Sequence, residues 1–144
     1  MNEPHKVDRT GWPHGPWDDE PDSHEWYAHG LRCTILRSAL GCLCGYVDLP
    51  KGHIAYGIEY DRIADDYPEL VVHWGLTYSN WHQGGNYWRV GFDCGHCTDI
   101  TPRTCAVLEF FTVPDLFPPA EYRDMYYVHR ETTELARQLM LVVG

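Results

Sequence analysis

The chain has 144 residues, 44% of them hydrophobic and 14% aromatic, with 21 acidic against 11 basic side chains and a formal net charge of −10. That length suits one domain around one core, and the aromatic content excludes a wholly disordered chain. No apolar run reaches the roughly 18 residues of a membrane span, and a chain this acidic has no general attraction for nucleic acid or anionic lipid.

Met1–Gly30 reads as an irregular arm. Pro4, Pro13, Pro16 and Pro21 break helix, and seven acids against Lys6 and Arg9 place −5, half the net charge, in this stretch. Trp12, Trp17, Trp26 and Tyr27 are costly to leave in water, so the arm is expected to lie on the body from about residue 12, with its acids solvated. The same stretch lacks the apolar centre of a signal peptide, which predicts a soluble, cytoplasmic protein with no membrane partner.

Residues 31–144 are expected to form a single domain. Short strand-like runs cover Arg32–Leu36, Cys42–Val47, Ala55–Tyr60, Leu70–Trp74, Tyr87–Phe92 and Ala106–Thr112. Asp61–Tyr67 suggests one short helical turn, and Asn80–Asn86, with Gly84-Gly85, a loop or hairpin tip. After Pro118-Pro119 the positions Met125, Val128, Thr132, Leu135 and Leu139 step by three and four, the stripe of an amphipathic helix opened by proline. The predicted fold class is therefore α+β: a small, mostly antiparallel sheet covered by one long C-terminal helix. The open edges of such a sheet make a homodimer plausible.

Six cysteines without an export signal predict free thiols. Cys42-Leu-Cys44 and Cys94-Gly-His-Cys97 together could give a four-thiolate zinc site, while the alternative is that these are small core residues.

Several motifs recur in a recognisable order: Gly15-Pro16-Trp17-Asp18-Asp19-Glu20-Pro21-Asp22, Leu43-Cys44-Gly45-Tyr46-Val47, Gly52-His53-Ile54-Ala55-Tyr56-Gly57, Val72-His73-Trp74-Gly75-Leu76-Thr77-Tyr78 and Gly91-Phe92-Asp93-Cys94-Gly95-His96. On these residues, and on a closing helix from Tyr122-Arg123-Asp124 to Leu139, the chain resembles a widespread family of small, functionally uncharacterised proteins of bacteriophage and actinobacterial genomes. It departs from that pattern in Trp74, where the family has glycine, in lacking the proline after His53, and in Cys97. The resemblance implies a phage-type accessory protein acting in the host cytoplasm, but brings no agreed activity.

The chemistry-bearing residues of these motifs come from three segments near turns, where sites tend to be built. His73, Asp93, Cys94 and His96 form the candidate catalytic set, with Cys94 as a nucleophile activated by His73 or His53. His53, Tyr56, Trp74, Thr77, Tyr78 and Asp99 are candidate ligand-binding residues, on hydrogen-bonding and stacking grounds. His53, His73, His96 and Asp93 could instead hold a divalent metal such as zinc. Each residue also has a plainer role: a half-buried histidine, a core thiol, an aspartate that caps a turn. Two functions remain open at this point. One is a small hydrolase of nucleotide-like or phosphorylated molecules; the other is a non-catalytic protein that sequesters such a ligand or blocks a host protein.

Overall fold

The computed structural model describes residues 5–95, 99–102 and 121–141. The strand expected at Ala106–Thr112, the opening prolines Pro118-Pro119, and His96, Cys97 and Cys105 lie outside the described residues. Five strands form one antiparallel sheet: β1 (Ser23–Ala28), β2 (Leu31–Arg37), β3 (Leu43–Pro50), β4 (Tyr78–His82) and β5 (Tyr87–Asp93), in the order β1-β2-β3-β5-β4. A short parallel pair joins β6 (Asp99–Ile100) to β7 (Glu121–Tyr122). Helix α1 spans Tyr60–Asp66, and the long helix α2, Met125–Leu141, packs on β1, β2 and β3. This is the α+β architecture that the sequence predicts. Among the described residues no helix is long and apolar enough to cross a membrane.

The stripe on α2 is the seam with the sheet. Val128, Thr132, Leu135 and Leu139 are fully buried, in one core with Ile35, Leu43, Val47, Val90 and Phe92. Their spacing keeps them on one side of a helix with 3.6 residues per turn. Aspartate caps this helix: Asp124 Oδ1 accepts the Tyr127 N–H at 2.8 Å, and the arm's Glu20 accepts the Met125 N–H at 2.7 Å. Two of the otherwise unpaired first-turn amides are thereby satisfied, by carboxylates that also suit the positive end of the helix dipole.

Helix and sheet approach closely at Gly45. A methyl group there would collide with Thr132 Oγ1 and stand 2.6 Å from the Phe92 ring. Gly45→Ala should therefore destabilise the protein by about 1–3 kcal/mol through overpacking. Urea unfolding measures this, and an unchanged midpoint would mean that α2 does not press on β3.

Where the structure departs from the expected elements, backbone conformation gives the reason. Ala55–Tyr60 and Leu70–Trp74 are not strands. They form turns closed by Ile58 N–H to Ala55 O (3.1 Å) and Gly75 N–H to Val72 O (2.8 Å). Gly57, Trp74 and Gly75 have φ of 78°, 57° and 80°, which no strand accommodates. β4 occupies part of the stretch read as a loop, and the reversal itself is confined to Gln83–Asn86.

The arm is more structured than its composition suggests. Its last residues are β1, so the boundary expected at residue 30 falls in the β1–β2 turn. Among the described residues it already touches the body at His5, whose Nε2 lies 2.7 Å from the Arg37 carbonyl, well before residue 12. Glu20 and Asp22 are not solvated: both bind the fully buried Arg37 guanidinium, at 3.1 and 2.9 Å, and Arg9 also pairs with Asp22. On the sheet face away from α2, Asp48 is likewise buried, between Arg32 (2.8 Å) and Arg89 (2.7 Å).

Candidate functional site

The turn carrying His73, the start of β6 and the first turns of α2 meet in one hydrogen-bonded cluster. His73 Nε2 stands 2.9 Å from both carboxylate oxygens of Asp99, and His73 Nδ1 lies 2.7 Å from the Tyr127 hydroxyl. Asp99 also accepts from Arg123 Nε at 3.1 Å. With Nε2–H directed at the carboxylate, Nδ1 is left to accept the Tyr127 proton. The order is phenol, imidazole, carboxylate, guanidinium. It is the logic of a hydroxyl–His–Asp relay with tyrosine in the terminal position.

Burial grades along this relay. The Asp99 side chain is 0% exposed and that of His73 is 6%, whereas Tyr127 is only half-buried. Burial, reinforced by Glu131, pushes the Tyr127 phenol above its ordinary value, so it carries its proton at neutral pH. The Arg123 and Arg130 guanidinium groups lie 4.9 and 5.6 Å from its ring centre. Arg123 is engaged with Asp99 and Glu121, while Arg130 is exposed and forms no ion pair among the described residues.

Cys94 is in the core beside this cluster, 1% exposed. Burial, then the nearby Asp99, Cys42 and Asp93 charges, push its thiol far above its ordinary value. It is a packed thiol rather than an activated nucleophile, because the thiolate is the reactive form. Asp93 belongs to a turn: it accepts from Thr77 Oγ1 and from the Gly95 N–H, each at 3.0 Å.

His53 does not join His73. Its Nδ1 accepts the Ala55 N–H at 3.0 Å and its Nε2 meets the Leu139 carbonyl at 2.9 Å, so both ring nitrogens are committed to backbone. Leu139 and Tyr127 are twelve residues apart on α2, or ~18 Å at 1.5 Å per residue. The metal set of His53, His73, His96 and Asp93 is therefore not assembled. Among the described residues no group of three or more His, Cys, Asp or Glu side chains could hold a metal ion.

Tyr56 and Tyr78 serve other contacts. The Tyr56 hydroxyl donates to the Gly85 carbonyl and its ring meets Trp81 edge-on, at a shallow groove of about 500 Å³ shared with Lys51. Tyr78 packs edge-on against Tyr46 on the sheet. His96 lies outside the described residues. Sequence reasoning missed Tyr127 and Arg123. The signal was a polar aromatic beside the buried Val128, at the start of a helix read only as a cover.

Trp74, next to His73, is held at φ 57° and remains 54% exposed. A bulky residue in the left-handed region costs about 1–2 kcal/mol. Trp74→Gly should raise the unfolding free energy by about 0.5–1 kcal/mol, once glycine's own entropy cost is set against the relieved strain. A fall in stability on urea titration would show that the indole's packing outweighs the strain.

Fold and cluster together define an α+β protein with a Tyr–His–Asp–Arg relay where its sheet and long helix join. No family model, no curated protein and no solved structure matches the chain.

Proposed function

We propose that the protein handles a small anionic ligand of the nucleotide-like or phosphorylated class at the Tyr127–His73–Asp99–Arg123 cluster, with hydrolysis as its reaction. The relay itself carries this reading. A buried carboxylate orients an imidazole whose other nitrogen faces a half-exposed phenol, the arrangement by which a hydroxyl proton is passed inward. In this reading Arg130 meets the ligand's negative charge, His73 is the proton acceptor, and the exposed Trp74 offers a stacking surface. The strain held at Trp74 supports a role there, since unfavourable backbone is commonly retained at functional positions. A cytoplasmic phage accessory role, and membership in the phage and actinobacterial family, belong to the same proposal.

One observation favours a second reading, that of a non-catalytic protein that sequesters its ligand or blocks a host protein. Both His73 nitrogens already have partners and the Cys94 thiol is silent, which suits a fixed wall as well as a reactive centre.

Native mass spectrometry of the purified protein, followed by thermal melts with inorganic phosphate and nucleoside mono-, di- and triphosphates, tests the proposal. A ligand at a hundred times its Kd should stabilise the fold by about 2.7 kcal/mol, and Tyr127→Phe and Arg130→Ala should each weaken binding at least tenfold, leaving about 1.4 kcal/mol or less at the same ligand concentration. Recovery of a cleaved product supports hydrolysis, and recovery of intact ligand supports sequestration. A bare polypeptide mass together with unshifted melts would sink both hydrolysis and ligand sequestration, and only the protein-blocking form of the second reading would stand.

A further inference from the structure

Beyond the strands on which α2 packs, an aromatic groove opens beside β4. Trp81 and Trp88 are ladder partners, so both indoles project on the same face of the sheet. The Ala55–Ile58 turn covers Trp88, whose Nε1–H donates to the Ile58 carbonyl at 2.7 Å, and leaves it 3% exposed. Trp81 belongs to the edge strand and stays 53% exposed.

Lys51, Tyr56, Trp81, Gly84 and Gly85 line about 500 Å³ here, within the size range of small-molecule sites. The Tyr56 ring centre is 5.4 Å from that of Trp81 at 64°, and the Trp88 centre is 4.6 Å away at 71°. Both contacts are edge-on, so among the described residues no ring lies flat on the Trp81 indole. The Tyr56 hydroxyl donates to the Gly85 carbonyl and holds the hairpin tip against this wall. Gly84 and Gly85, at φ 65° and 90°, have no side chain, and a methyl group at either would meet nothing within 4 Å. The tip therefore bounds the groove without filling it. The charge is equally specific: Lys51, one of two lysines in a chain of net charge −10, is exposed and forms no ion pair among the described residues. No acidic side chain lines the groove.

We propose that this groove binds a small planar aromatic ring that carries an anionic group, either carboxylate or phosphate. The ring stacks on the open face of Trp81, Tyr56 stands as a side wall, and the Lys51 ammonium meets the negative charge. A lysine is a compact point charge and does not by its shape choose between the two anions. Aromatic corners also receive quaternary ammonium groups, but the positive charge of Lys51 opposes a cation here. The groove shares no residue with the Tyr127 cluster, so this site stands or falls separately from the function proposed there.

The test follows nitrogen-15 spectra of the full chain during titration with naphthalene-2-carboxylate, 2-naphthyl phosphate, naphthalene-2-carboxamide and tetramethylammonium. Both anions should shift the Trp81 indole N–H and the Gly84 and Gly85 amides, with a Kd below about 1 mM, and the tighter of the two identifies the preferred anion. The uncharged carboxamide should bind about two- to fivefold more weakly than the carboxylate, a gap that closes in Lys51→Gln. Trp81→Ala should weaken the carboxylate by about tenfold or more. No saturable shift in the parent, shifts centred on His73 and Trp74 instead, equal affinity for the carboxamide, or a preference for tetramethylammonium overturns the site. Each of these readings needs only the parent chain, so a Trp81→Ala variant that fails to fold leaves the test intact.

Discussion

Arg37→Ala should lower the unfolding free energy by about 3–5 kcal/mol, a large part of what a domain of this size possesses. The Arg37 side chain is 0% exposed. It donates to Asp22 (2.9 Å), Glu20 (3.1 Å), the Gly41 carbonyl (2.8 Å), the Pro21 carbonyl (3.2 Å) and the Tyr122 hydroxyl (2.8 Å). Truncation strips the largely buried Glu20 of its cation and leaves Asp22 with Arg9 alone. It also loosens Glu20, which otherwise holds Tyr122 and the first amide of α2. Arg37→Met should fare little better, because the stranded acids and not the lost volume dominate. Arg37→Lys should fall between, keeping the charge but not the fork of donors. A loss below about 1 kcal/mol in urea would show that the arm is peripheral to the fold.

The same clasp fixes a pH dependence. Burial alone would raise Asp22, but the hydrogen bonds from Val7, Arg9 and Arg37 outweigh it and hold the carboxyl below its ordinary value. Burial would likewise raise Asp48, but Arg89 and then Arg32 outweigh it and hold that carboxyl below its ordinary value. A carboxyl depressed in the folded state stabilises fully above its unfolded pKa of about 3.9, and this contribution disappears as pH falls through the lower folded value. Urea midpoints should therefore be flat near neutrality and fall below about pH 4, with a shallower fall in Arg37→Ala, where Asp22 has lost one of its cations.

What the sequence revealed depended on whether the physics was local. The α2 stripe was legible because a helix that buries one side must repeat its apolar residues every three or four positions, and Val128, Thr132, Leu135 and Leu139 do. β2, β3 and β5 were legible as central strands rich in buried apolar residues. β1 and β4 were not, because both are edge strands: exposed His24, Glu25, Asn80 and Trp81 interrupt any apolar alternation. The role of the arm's acids was invisible for a different reason. Glu20 and Asp22 look solvated until Arg37, fifteen or more positions later, is brought beside them. At the site, His73 and Asp99 could be chosen by residue type, but their partners Tyr127 and Arg123 lie some 24–54 positions away, on a segment whose periodicity pointed only to packing. His53 was indistinguishable from His73 by type alone. The backbone contacts that occupy both its nitrogens separate the two.

Asp99→Asn tests that relay most sharply. The substitution preserves shape but removes the charge that His73 Nε2 and Arg123 Nε share. With the Asp99 side chain 0% exposed, loss of the buried carboxylate should cost about 3–5 kcal/mol, softened by the second acid, Glu121, that Arg123 keeps at 3.3 Å. The new amide offers one acceptor and one donor group where the carboxylate offered only acceptors. If its oxygen satisfies Arg123, its NH2 group faces His73 Nε2, and the imidazole avoids two opposed donors by moving its proton to Nδ1. Tyr127 would then accept from His73 instead of donating to it, and the relay would run backwards. Nitrogen-15 chemical shifts of His73 read this tautomer directly: a Nε2–H imidazole in the parent and a Nδ1–H imidazole in the variant. An identical tautomer in both would remove Asp99 from its orienting role. The two functional readings part at this variant as well. A hydrolase that draws a proton through Tyr127 and His73 should lose turnover by a factor on the order of 10⁴, the scale seen when a triad aspartate is neutralised. A protein that only holds its ligand loses one partner's orientation and no chemistry, so its affinity should fall by about tenfold or less, near the value of a single hydrogen bond.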